Sequence, residues 1–210
     1  YEMGMFADAA ESYKNVLRLA PQHASGPFNL AVCYERLGRW QEASQAFSAA
    51  VQRDPARTDA RLGLGISLLH LEKAQPALDC FDQVLQASPE HETAQFGRGV
   101  AMQLMARMDE ASEIYKRLLA RNPKSEECLS NLVAVGLAKK DDAMVRDAAA
   151  RLLEVRPNAT AALEGLAASA FAANDYSAAA MYCSKLVECS PAQFERWFNL
   201  GVAYQRTQQY

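Results

Sequence analysis

The chain has 210 residues, half of them hydrophobic, with 22 basic and 25 acidic side chains and a formal net charge of −3. Such a composition supplies a packed core and argues against collagen-like and disordered classes, and its mild acidity argues against a nucleic-acid partner, which wants a basic face. No apolar run reaches the roughly 20 uncharged residues that span a bilayer, so membrane insertion is not expected.

Residues 1–23 carry one helical pattern, with Ala9, Tyr13, Val16 and Leu17 on a common face and Pro21 at its end. From there the pattern doubles. Residues 24–57 predict a first helix through "FNLAVCYER", a turn at "LGRWQEA" (Leu37 to Ala43) and a second helix stopping at Pro55. Residues 58–91, 92–125, 126–159 and 160–193 repeat the scheme, and 194–210 hold one more first helix. The prolines Pro21, Pro55, Pro89, Pro123, Pro157 and Pro191 mark the beat, every step being 34 residues with no insertion. A period of this length is the mark of a solenoid built from one supersecondary unit.

With the prolines placed at position 32 of the repeat, positions 8 and 20 are mostly small, as in Ala31, Gly65, Gly99 and Ala167, and Ala9, Ala43, Ala77, Ala111 and Ala179. Position 24 is mostly aromatic: Tyr13, Phe47, Phe81 and Tyr115, then Ala149 and Cys183. Apolar residues recur with helical spacing in both halves of the repeat, so two antiparallel helices are expected, close where the small residues meet, with the aromatic between them. Proline after the second helix cannot continue it and sets the turn into the next pair. Residues 126–159 break the pattern: positions 8 and 20 grow to Val133 and Val145, while positions 11 and 24 shrink to Gly136 and Ala149. Bulk moves between contact layers, and altered local packing is expected there.

"FNLAVCYERLGRWQEASQAFSAAVQRDP" (Phe28 to Pro55) carries a small residue, Tyr34, Gly38, Ala43, Phe47 and Pro55 in one register. In this it resembles the tetratricopeptide repeat, and the resemblance runs through all six copies and the whole chain. It implies an all-α fold, a right-handed α-solenoid of antiparallel helix pairs, forming a single array over 1–210. It also implies a non-catalytic scaffold that binds a protein or peptide on the concave face lined by the first helices.

Chemistry-bearing motifs point nowhere else. The Gly-x-Gly pairs at Gly63/Gly65 and Gly97/Gly99 recur at the repeat period and follow no predicted strand, so they are packing features rather than phosphate loops. His23 and His91 fall just past prolines as turn residues, whereas His70 lies late in a first helix and can face the groove. The histidines stand in different repeats without neighbouring ligands, so no metal, cofactor or catalytic group is expected. Five scattered cysteines (Cys33, Cys80, Cys128, Cys183, Cys189) form no disulfide framework, which favours a reducing, cytoplasmic compartment. "KKDDAMVRD" (Lys139 to Asp147) is a solvated turn.

The positions that the resemblance assigns to the groove define the candidate site. Position 5 reads Phe28, Leu62, Phe96, Ser130, Glu164 and Phe198, and position 9 reads Val32, Ile66, Val100, Ala134, Ala168 and Val202. Residues four apart share a helix face. Phe28/Val32, Leu62/Ile66 and Phe96/Val100 therefore make an apolar strip. Two readings stay open for it, filler between neighbouring first helices or a seat for a partner's apolar side chains. Position 6 holds Asn29, Asn131 and Asn199, with glycine in the other copies. This is similar to the asparagine ladder of the O-GlcNAc transferase repeats, which implies contacts to an extended peptide backbone; local bonding within the solenoid is the competing reading. The clamp that some family members use for acidic chaperone tails needs Lys and Asn at positions 5 and 9, which are mainly apolar here. Small residues at Ser130, Ala134, Ala138 and Ala168 are expected to widen the groove beside Phe171. Both ends fall in mid-repeat, so the array is expected to continue or to associate end to end. A substrate-recruiting arm of a larger enzyme and a self-assembling array remain alternatives to the scaffold.

Overall fold

The computed structural model describes residues 2–207; Tyr1 and 208–210 lie outside the described residues, and with them the last positions of the helix expected over 194–210. Between them run twelve helices joined by short turns. Second helices are α1 (Glu2–Leu19), α3 (Trp40–Arg53), α5 (Ala74–Ala87), α7 (Met108–Arg121), α9 (Asp142–Val155) and α11 (Tyr176–Cys189). First helices are α2 (Gly26–Arg36), α4 (Thr58–His70), α6 (Glu92–Leu104), α8 (Glu126–Lys139), α10 (Thr160–Ala172) and α12 (Phe194–Arg206). The expected α-solenoid of helix pairs is what forms.

Local chemistry ends each helix. Asp54, Ser88, Arg156 and Ser190, each directly before a repeat proline, have left the helical region, which the following proline ring disfavours for the residue before it. Helices α2, α4, α6, α8 and α10 stop just before position 15, where Gly38, Glu72, Ala106, Lys140 and Asn174 all have φ between 57° and 67°. Gly38 and Asn174 suit this left-handed geometry; Glu72, Ala106 and Lys140 adopt it at a steric cost. Starts are capped where side chains allow: Ser125, Asp141 and Asp175 accept from the backbone N–H three residues on. His91 is such a cap, its Nδ1 accepting from the Ala94 N–H, so a turn histidine proves to hold a helix start.

The packing divides the chain into two compact units, Tyr1–Arg107 and Met108–Tyr210, the division falling inside the repeat 92–125, between its first and second helices. In the first unit α1 to α6 each pack on the next helix in sequence, and the first helices also touch one another, α2 with α4 and α4 with α6. In the second unit α7 to α12 pack likewise, and α8 lies along α10. First helices therefore line up beside one another, α2, α4 and α6 in the first unit and α8 and α10 in the second.

Aromatic rings centre the first unit. Phe47 and Phe81 are 1% and 0% exposed, each burial worth about 1.5–3 kcal/mol. Glycines make the room. A Cβ at Gly65 would stand 2.8 Å from Phe81 Cε1, and one at Gly97 2.5 Å from Phe81 Cζ. Gly63 receives Phe47 in the same manner. The close Gly-x-Gly spacing is thus a ring socket. In the second unit, the repeat 126–159 achieves the same filling from another direction. Ala149 supplies no ring, and Val133 reaches into the space left by Gly165, while a Cβ at Gly136 would meet Val145 Cγ2 at 2.8 Å.

Candidate partner-binding face

The strip of the first unit lies on α2, α4 and α6. Phe28, Val32, Leu62, Ile66, Phe96 and Val100 are all half-buried. Phe28 and Val32 pack on the core formed by α1 to α4, and Leu62 and Ile66 on the core centred on Phe81. These four side chains thus pack inward and keep part of their surface exposed. Phe28 is the most elaborately held. Its ring meets Phe47 edge-on at 5.9 Å and 64°, and the Arg57 guanidinium covers it 3.7 Å from the centroid. Arg57 is oriented in turn: its Nε and Nη2 donate to the two oxygens of Asp59 at 2.9 and 3.3 Å, and Asp59 Oδ1 accepts from the Ala60 N–H at 2.7 Å.

At the other end of the same helices, the exposed His70 ring stacks flat on Trp40, centroids 3.7 Å apart and planes 6° from parallel. Glu35 is half-buried nearby; burial raises its carboxyl pKa, opposed by the charges of Arg36 and His70. Cys80 is pushed up to about 11 by burial, opposed by Arg61, so its thiol is a poor nucleophile at neutral pH. All five cysteines are free.

The asparagines part company. Asn131 spends its amide N–H locally, on the Glu127 carbonyl at 2.8 Å. Asn29, half-buried, and Asn199, exposed, have no side-chain hydrogen bond among the described residues. In the second unit position 5 is no apolar row: Ser130 is small, and Glu164 is paired with Arg196 at 3.0 Å. Arg196 replaces the small residue that other repeats carry at position 3. It is buried and also donates to the Leu186 carbonyl at 3.1 Å, clamping α12 to α10 and α11. Ala134, Ala138 and Ala168 are exposed, and half-buried Phe171 meets Tyr176 edge-on at 6.3 Å. Phe198 is 58% exposed and Val202 half-buried.

Arg57, Trp40 and Arg196 escaped sequence reasoning, since nothing in their spacing tells which ring or carbonyl each reaches. So did two hollows of about 370 and 470 Å³ beside α3. The first is walled by Leu17, Leu30, Tyr34 and Ala46, the second by Ser48, Leu64 and Leu68, and no strip residue lines either. No group of three potential metal ligands occurs among the described residues, and none of their helices is long and apolar enough to cross a membrane.

Helix pairs on a 34-residue beat, with small residues at the helix contacts and rings between them, define a repeat protein of the solenoid class. Tetratricopeptide repeat profiles match residues 1–60, 39–92 and 134–194, and a second profile of the same description matches 68–135; the chain belongs to the tetratricopeptide repeat family. No curated protein matches it. Among solved structures it is similar to PilW, described as a widely conserved type IV pilus biogenesis factor, with TM-score 0.79, 19% identity, and coverage of 96% of this chain and 92% of that one. It is also similar to PilF of Pseudomonas aeruginosa, with TM-score 0.72, 17% identity and coverage of 99% and 90%. A third is YrrB, described as a TPR protein with an unusual peptide-binding site, with TM-score 0.68, 16% identity and coverage of 90% and 98%. At such identities the likeness is one of fold. Family membership supports a protein-interaction scaffold, in a family whose members are generally non-catalytic.

Proposed function

We propose that the chain is a non-catalytic scaffold that holds a segment of a partner protein along the first-helix face of residues 24–107. The observation that carries this is the row Phe28, Val32, Leu62, Ile66, Phe96 and Val100 on α2, α4 and α6, every member half-buried and the first four packed against the core. Apolar flanks in a row on rigid helices suit a partner that lays down side chains at intervals, and each anchor buried there is worth about 1.5–3 kcal/mol. Two or three such anchors give micromolar affinity after entropic costs. The unengaged Asn29 amide beside the strip adds a donor and acceptor for a peptide main chain. The YrrB likeness supports a peptide as ligand by analogy of fold.

The test is selection from a displayed library of short random peptides against residues 1–210. Selected peptides should lose binding to an Ile66→Glu, Val100→Glu double variant whose helical CD melt is unchanged. Binding that survives this variant, or no selected peptide at all, counts against the face.

A second reading, self-association, has its own observation. Phe194, Trp197 and Phe198 on α12 are 72%, 52% and 58% exposed, and nothing stands within 4 Å of a Cβ placed at Gly201. A mass that rises with concentration in sedimentation, and falls back to monomer in a Trp197→Glu variant, would establish it.

A further inference from the structure

The stack at Phe28 specifies what the proposed face selects. Arg57 sits at the N-cap position of α4 but caps nothing; its side chain turns aside to lie on the Phe28 ring. One face of the guanidinium is therefore occupied by Phe28, and its Nε–Nη2 edge by the Asp59 carboxylate. The outer face and Nη1 remain, and the side chain keeps a quarter of its exposure. Two-point pairing to Asp59 fixes the plane without freezing a lone flexible arginine, so stacking there costs little ordering entropy.

We propose that Arg57 is a specificity-determining residue of the peptide face, selecting a partner segment with an aromatic side chain that stacks on the outer face of the guanidinium. In that arrangement a main-chain carbonyl of the segment accepts from Nη1. The inference rests on the peptide-scaffold reading above. Charge sets the choice of an aromatic group over a carboxylate. Asp59 already neutralises Arg57 and is itself more than half exposed, so a second carboxylate at this spot meets repulsion. An aromatic ring pays no such cost and gains from the flat cation. Asn29, next in sequence to Phe28 and unengaged, supplies a second main-chain contact one residue away. The six-member apolar strip alone would accept leucine as readily as phenylalanine; only this stack distinguishes them.

The experiment uses the same displayed library and residues 1–210. Selected peptides are expected to share Phe, Tyr or Trp at one fixed position, and Arg57→Lys, which keeps the charge but loses the plane and fork, should weaken them about tenfold. Replacing the shared aromatic by Leu should cost wild-type binding a similar factor and the Arg57→Lys variant little, which a merely structural role for Arg57 would not produce. Peptides that need Ile66 and Val100 but show no aromatic preference, or bind Arg57→Lys unchanged, overturn this inference and leave the face standing. Peptides insensitive to Ile66→Glu, Val100→Glu overturn the face itself, and the inference with it.

Discussion

The repeats 58–91 and 126–159 solve one packing problem in opposite ways. In the first, a single ring, Phe81, rises from the second helix, and Gly65 of its own repeat and Gly97 of the next give way to it. In the second, position 24 is Ala149, and two valines fill the layer from elsewhere: Val145 against Gly136, and Val133 into the space at Gly165. What persists is neither the aromatic nor the small position but the sum. In both repeats the bulk arrives opposite a glycine, because close-packed helices leave no volume for both side chains.

The largest effect expected from that contrast is at the ring. Phe81→Ala should cost about 3–5 kcal/mol in urea unfolding, against about 2 kcal/mol for Val145→Ala, since two valines share in the second repeat what one ring does in the first. Equal losses would mean that the valines also act as a single unit. Next is the socket. Gly165→Ala drives a methyl into Val133 and should cost about 1–3 kcal/mol, most of it regained when Val133→Ala is added. Strict additivity in that double-mutant cycle would show that the two side chains do not compete for the space.

Smaller effects lie in the turns, where the two repeats agree. Glu72→Gly and Lys140→Gly should each raise stability by about 0.5–1 kcal/mol, because both residues hold a left-handed φ that glycine adopts freely. A gain at one and a loss at the other, read from paired urea melts, would make the turns part of the difference. Smallest is position 12, where the repeat 24–57 has Glu35 and the repeat 126–159 has Leu137. Burial raises the folded-state pKa of Glu35 above its unfolded value. Its contribution is therefore fully present below the unfolded pKa, near about 4, and is lost as pH rises through the folded one. Glu35→Gln should raise Tm slightly at pH 7 and leave it unchanged at acid pH; a gain that ignores pH would trace to shape rather than charge.

Much of this was legible in the residues. Helical periodicity, the prolines and the small positions are local signals repeated six times, so the helix pairs and their core could be read directly. The exchange of bulk at Val133, Val145, Gly136 and Ala149 was visible as well, though not that Val133 would find Gly165 in the following repeat. The position-15 turns were hidden at Glu72, Ala106 and Lys140, which carry no glycine to announce a positive φ. Asparagines 34-residue multiples apart looked alike, yet Asn131 bonds within its own helix while Asn29 does not. Side-chain amides choose among partners by fractions of a kcal/mol to a few kcal/mol, and a spacing rule does not carry that choice.

The sequence by itself determined the repeat, its period, its helix pairs and the family, because each of these follows from the order of apolar, small and proline residues along one short unit. The tertiary structure alone decided that Arg57 lies on the Phe28 ring with Asp59 holding its edge, and that Arg196 is buried where its counterparts are small. Such contacts join residues of different helices, and long flexible side chains reach several neighbours at similar cost until the backbone fixes the distances.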